Sequence, residues 1–300
     1  MRHIATHTPS ARLAVARREL AWSTTVAEDF PDLALEPGWA AVTLEELLTN
    51  SSGAPAQLDQ DGLWGRLWSF DGTPQEARRV LLAGVLAHPP EAPPGTRFLY
   101  SNAGFSIAGA MLETVAGTPF EELMARELFA PLGMTGAGFG APGTPGEVLE
   151  PFGHVLRADA LAPVELGPGD DNPPAISPAG RAHASLRDWG RFAALHLAGA
   201  RGEAVGPPFE GVSFATLHRP HLESYAMGWV VSAPDWCRGP LLWHNGSNTM
   251  WYCEVGLFPD EGLAVLVATN TAHGNARGAS GGILRALHDR FSHRSGVEKP

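Results

Sequence analysis

The sequence predicts an α/β (α+β) protein with a mostly helical first part and an antiparallel sheet closed by a terminal helix. Three observations carry this. Between residues 43 and 134 apolar residues recur at helical spacing, and two segments open with capping boxes, Thr43-Leu44-Glu45-Glu46 and Thr73-Pro74-Gln75-Glu76. From residue 225 the spacing shortens to strand alternation, clearest at Trp251, Cys253, Val255 and Leu257. Between two apolar runs, Pro259-Asp260-Glu261-Gly262 reads as a hairpin turn. With 300 residues, 44% of them hydrophobic, the chain suits one large domain or two closely packed lobes.

Taken in order, residues 9 to 21 read as a helix with Pro9 at its first position and a partial apolar face of Leu13, Val15, Ala16 and Leu20. Residues 43 to 49 form a short helix closed by Asn50-Ser51-Ser52-Gly53, where both serines read as turn formers. Trp64, Trp68 and Phe70 follow among glycines. They read as packing under a loop, ahead of the wall of a cleft. The helix after Thr73 carries Val80, Leu81, Val85 and Leu86 as its stripe.

A Pro93-Pro94-Gly95 turn then leads through an extended run to Tyr100-Ser101-Asn102. Beyond it Ala103, Ile107, Ala108, Met111, Leu112 and Val115 keep helical spacing as far as Gly117. Asn102 is placed to cap this helix through its side-chain oxygen. Another helix opens at Thr118-Pro119. Residues 136–182 are Pro/Gly-rich and aperiodic, and read as a drape bordering a cleft, with Asp170-Asp171-Asn172 as a solvated turn. Ser185 caps a helix bearing Trp189, Phe192, Ala193 and Leu197. Strands are expected at 225–231, 241–244, 249–258 and 263–270. Ile283, Leu284, Leu287 and Phe291 then mark a helix that covers the sheet.

Composition excludes several functions. A net charge of −11 without a basic run speaks against nucleic acid. No apolar run is long enough for a membrane span. The first residues lack a hydrophobic signal core, so no signal peptide is expected in this chain and its compartment is left unknown. Cys237 and Cys253 read as buried free thiols. His218 and His221, like His3 and His7, lack a third ligand nearby, so no metal and no cofactor is expected. Gly278-Ala279-Ser280-Gly281-Gly282 matches a nucleophile-elbow pattern, but its only later acid and histidines lie in the following helix. It reads as a helix-start serine. Of the 21 lysines and arginines only Lys299 is a lysine, which excludes a P-loop and any mechanism that needs a buried lysine.

Four landmarks in order give the chain a resemblance to the serine β-lactamase-like superfamily, nearest to class C β-lactamases and their esterase and D-aminopeptidase relatives. TLEELLTNSSGAP (43–55) resembles that family's TLRHLLTHTSGLP. PGTRFLYSN (94–102) resembles its PG..F.YSN, FAPLGM (129–134) its F.PLGM, and His244-Asn245-Gly246 its Lys-Thr-Gly or His-x-Gly. The resemblance implies a β-lactamase/transpeptidase-like fold. Its parts would be a remnant of the nucleophile helix (1–42), a helical lobe (43–200), and a sheet with a C-terminal helix (201–300).

It also implies acyl transfer from an ester, amide or β-lactam to a serine, followed by hydrolysis. Tyr100 would be the general base and Asn102 the positioning amide. His244 would orient substrate or polarise Tyr100. Asn245, Gly246 and Ser247 would form the substrate-binding edge, with the Ser247 N–H as an oxyanion donor. The family's Ser-x-x-Lys is absent from these residues, since Met1 and Ile4 fall at its two positions. Three explanations stand, in this order: a truncated or mis-called start, a gene in decay, and a chain with a different task. Thr8 or Ser10 is a minor alternative nucleophile. Missing first strands would leave a sheet edge open to self-association. The expected partner is a small acyl or peptide-like compound, either hydrolysed or, alternatively, only bound.

Overall fold

The structure, a computed structural model, describes residues 20–167 and 169–292. Most of the helix expected at 9–21, and with it Thr8 and Ser10, lies outside these.

Both capping boxes form. Helix α1 (Leu44–Leu48) starts with Thr43 Oγ1 accepting from the Glu46 N–H at 3.2 Å, while Glu46 Oε2 accepts from the Thr43 N–H at 2.8 Å. After α2 (Leu63–Trp68), helix α3 (Pro74–Leu86) repeats the box with Thr73 and Glu76. Each such cap contributes about 1 kcal/mol. Helix α4 (Asn102–Ala116) is buried continuously from Ala103 to Glu113 and stops at Gly117, whose φ of 60° needs no Cβ. Its N-cap is Ser101 rather than Asn102, because Ser101 Oγ accepts from the Gly104 N–H at 3.2 Å. That correction leaves the Asn102 side chain uncommitted to capping.

Helix α5 (Phe120–Met124) follows and runs on into a π-helical turn, Ala125–Phe129. The fully buried Arg78 of α3 forks onto Glu113 of α4 and Glu121 of α5. Glu113 Oε1 also accepts from the Phe120 N–H at 2.8 Å, so one ionic cluster ties three helices together.

The 136–182 stretch has more structure than its composition suggests. Strands β1 (His154–Arg157) and β2 (Ala160–Pro163) form an antiparallel hairpin, and Gly138–Phe139 pairs with Ala182–His183. Asp171 is buried rather than solvated. Its Oδ1 accepts from Asn248 Nδ2 at 2.8 Å, and its Oδ2 faces Arg181 at 3.5 Å.

After helix α6 (Leu186–Ala200) and the short helix α7 (Phe214–Leu217), the main sheet runs β3 (Val230–Ser232), β4 (Leu241–Ser247), β5 (Tyr252–Phe258) and β6 (Leu263–Thr269). All neighbours are antiparallel, with His244 opposite Val255. Two expected strands are shorter than the apolar runs suggest. Before β3 the Ala226 N–H donates to the Trp229 carbonyl at 2.7 Å, closing a tight turn through Gly228 at φ 82°. Before β5 Thr249 takes φ 73°, while Asn248 Oδ1 accepts from the Met250 and Trp251 N–H groups.

Leu242, Cys253, Val255 and Leu257 join the large core shared with the helices, on the side where α6 packs. On the opposite face Leu241, Phe258, Val265 and Val267 pack with Leu284 of the terminal helix α8 (Ala276–Ser292). Ile283 and Phe291 do not cover the sheet as expected. They are exposed, and Ser280, Leu284, His288 and Ser292 are the buried positions of α8. Cys253 is buried and in no disulfide, whereas Cys237 is partly exposed. The outer edge of β6 has no strand partner among the described residues. Among them no helix is long and apolar enough to cross a membrane.

Candidate active site

The loop Asn50–Pro55 is the bed on which the segment carrying Tyr100 lies. Backbone N–H groups of Glu91, Gly95 and Leu99 donate to the carbonyls of Gly53, Ser51 and Asn50, each at 2.8 Å. The Ser101 N–H donates to Asn50 Oδ1 at 2.9 Å, and Ser101 Oγ donates to the Pro55 carbonyl at 2.6 Å. Gly53 sits at φ 77°, where a Cβ would stand 2.0 Å from the Ala92 carbonyl oxygen, so the close approach of the two segments requires glycine. With Leu99 and Ser101 both anchored, the intervening Tyr100 turns outward and is 46% exposed.

Across from it runs β4. Leu242 enters the core shared with the helices, so His244 and Gly246, two and four residues on, face the same way. The Tyr100 and His244 rings meet with centroids 6.2 Å apart. His244 Nδ1 lies 2.5 Å from the Asn245 carbonyl oxygen and Nε2 lies 3.3 Å from the Tyr225 hydroxyl. A carbonyl only accepts, so Nδ1 carries the proton and Nε2 accepts from Tyr225. Both nitrogens are therefore engaged, and His244 offers Tyr100 its ring rather than a nitrogen.

Burial lowers the His244 pKa, opposed by its bond to the Asn245 carbonyl, and the ring is neutral at pH 7. Tyr225, itself buried, is held well above its ordinary value by desolvation, then by the neighbouring Tyr100. Tyr100 is raised too, by desolvation with no opposing charge. Its ring keeps surface because it lines a groove, yet the protein around it strips water from the phenolate.

That groove, about 540 Å³, contains Tyr100 and Asn102 at the helix junction and Asn245, Gly246 and Ser247 at the strand end. Trp64 and Trp68, packed edge to face with centroids 5.8 Å apart, also line it, so they do more than fill space under a loop. Asn172, Ile176 and Asn248–Met250 complete it. Asn245 Nδ2 donates to the Tyr252 hydroxyl at 3.1 Å, and Ser247 Oγ donates to the Trp251 carbonyl at 2.9 Å. A separate cavity of about 500 Å³, lined by Asp29, Arg78 and Thr114 among others, holds none of these residues. Five of the six residues singled out from the sequence thus line one groove, and the sixth, His244, packs its ring against Tyr100 beside it. Tyr225, Asn50, Asn172 and Asn248 were not among them, since nothing local in the sequence reveals a contact made across the fold.

The remaining chemistry candidates lie apart. His218 Nε2 is 2.9 Å from His196 Nδ1, His221 faces Glu45 at 3.6 Å, and Ser280 is buried within α8. Among the described residues no group of three His, Cys, Asp or Glu side chains is placed to hold a metal.

Tyr100, Tyr225 and Tyr252 are the three tyrosines of the chain, and all have raised pKa values. The neutral phenols belong to the folded state. Their contribution to stability is full below the unfolded value of about 10 and is lost as pH rises through the folded values. Absorbance titration of the folded protein is expected to show no phenolate below about pH 10. A folded-state phenolate at lower pH would contradict this.

A helical part and an antiparallel sheet meeting at a groove of this kind define the β-lactamase/transpeptidase-like fold. The octameric penicillin-binding protein homologue from Pyrococcus abyssi superposes with a TM-score of 0.73 at 21% identity, over 98% of this chain and 68% of that one. Residues 11–290 match the family described as Beta-lactamase, and the chain belongs to that family. An unguisins hydrolase of Aspergillus campestris is 24% identical over 85% of this chain and 48% of its own length. Penicillin-binding protein 4 of Amycolatopsis lactamdurans is 26% identical over 84% of this chain and 66% of its own. The chain therefore spans about half to two thirds of the length of these curated relatives.

Proposed function

We propose that the groove is the acyl-group site of a serine hydrolase of the β-lactamase type, and that these 300 residues carry its binding and proton-transfer side without its nucleophile. The observation that supports this most is that Tyr100, Asn102 and Ser247 line one groove, with the His244 ring packed against Tyr100 beside it. In this reading a scissile carbonyl lies along β4, its oxygen toward the Ser247 N–H, with the Asn102 amide positioning it. Tyr100 is the group that exchanges a proton with the attacking and leaving atoms. Its raised pKa makes it a hydrogen-bond donor as the chain stands. Service as a base needs a nearby cation to pull that pKa down, the part a lysine of Ser-x-x-Lys would play.

A second reading, a protein that binds acyl or peptide-like compounds without turnover, is favoured by one fact: the sole lysine is Lys299. A serine-reactive phosphonate followed by intact-mass measurement separates the two, with a class C β-lactamase as the labelled control. No adduct on this chain is expected. A stoichiometric adduct on one serine would overturn the claim that the nucleophile is missing. Self-association along the open edge of β6 belongs to the same reading.

A further inference from the structure

We propose that the groove takes an electrically neutral acyl compound, an ester or amide with an apolar or aromatic acyl part and no free carboxylate. This rests on the groove being the ligand site and adds the ligand's charge class. Among the described residues no lining side chain carries a formal charge. The surface is two tryptophan rings, a phenol, apolar Ile176 and Met250, hydroxyls, and the amides of Asn102, Asn172, Asn245 and Asn248. Beside it His244 is neutral.

The charges next to it are already countered. Asp171, adjacent to Asn172 and 3% exposed, faces Arg181 at 3.5 Å. The amides other than Asn102 are also held in place. Asn248 turns its NH2 inward to Asp171, and its oxygen accepts from the Met250 and Trp251 N–H groups. Asn172 Nδ2 donates to the Gly180 carbonyl at 3.1 Å.

A carboxylate entering here gives up its water and meets no cation, only neutral donors such as the Tyr100 hydroxyl and the Asn102 amide, which serve a neutral carbonyl equally well. Burying an unpaired charge costs far more than burying an amide or ester, whose polar atoms need only one or two hydrogen bonds. The net charge of −11 adds repulsion at long range. The tryptophan pair supplies apolar area for the acyl part.

The test is a matched pair, N-acetylphenylalanine amide and N-acetylphenylalanine, titrated into the 300-residue chain by calorimetry and tryptophan fluorescence at pH 7. The amide is expected to bind at least about tenfold more tightly. Thr249→Arg, which places a cation on the exposed part of the lining, is expected to shift the ratio of carboxylate to amide affinity about tenfold toward the carboxylate. A carboxylate that binds the unaltered chain as tightly as the amide overturns the charge assignment and leaves the groove reading standing. If neither compound binds, the groove reading falls as well.

Discussion

Arg78→Ala is expected to lower the free energy of unfolding by about 3–5 kcal/mol, the cost typical of removing one partner from a buried ion pair. Arg78 is fully buried, Glu113 is 5% exposed, and no other described cation is paired with either Glu113 or Glu121. Without Arg78 the Glu113 carboxylate keeps only the Phe120 N–H, and the junction of α3, α4 and α5 holds an uncompensated charge. Glu113→Gln should cost less, because the amide oxygen still accepts from Phe120 and Arg78 retains Glu121. The Glu121 carboxyl is pulled down by Arg78 against the upward push of burial. Its share of the stability is thus present above the ordinary glutamate range and is lost as pH falls through the folded value. The penalty of Arg78→Ala should shrink in the same direction. Denaturant melts at two pH values measure both effects, and a loss below about 1 kcal/mol at pH 7 would show that the cluster does not hold the helices together.

Asn50→Ala should cost about 2–4 kcal/mol and weaken ligand binding in the groove together with it. Two terms add. The buried Ser101 N–H loses its acceptor, about 1–3 kcal/mol, and alanine must hold the left-handed φ of 55°, roughly 1 kcal/mol more. Asn50→Gly carries only the first term and Asn50→Asp little of either, so the three variants separate the causes. The link to function is geometric: Asn50 anchors both Leu99 and Ser101, and Tyr100 stands between them. If Asn50→Ala melts like the wild type while groove binding is lost, Asn50 touches the ligand instead of supporting Tyr100.

Much of the helical part was legible because its signals are local. A threonine and a glutamate three residues on bond each other wherever that tetrapeptide starts a helix, and both boxes formed as read. The same local logic misplaced one cap, choosing Asn102 over Ser101, since both suit the position. Ser101 takes it because its N–H and hydroxyl are already fastened to Asn50 and Pro55. The strand ends were overread at 225–229 and 249–251 for a similar reason. Apolar alternation continues through those residues, while a glycine turn and the Asn248 side chain end the pairing.

The sequence by itself determined the order of the main helices and of the four strands of the large sheet, the hairpin at Pro259–Gly262, the four landmarks of the family and the lack of a lysine before Lys299. Each is a matter of residue type and near-neighbour spacing. Only the tertiary structure decided that the Tyr225 hydroxyl meets His244 Nε2, that Trp64 and Trp68 wall a groove, and that its lining is uncharged among the described residues. Those facts depend on which side chains meet across tens to hundreds of residues. That depends on how the two parts pack, which no local pattern encodes.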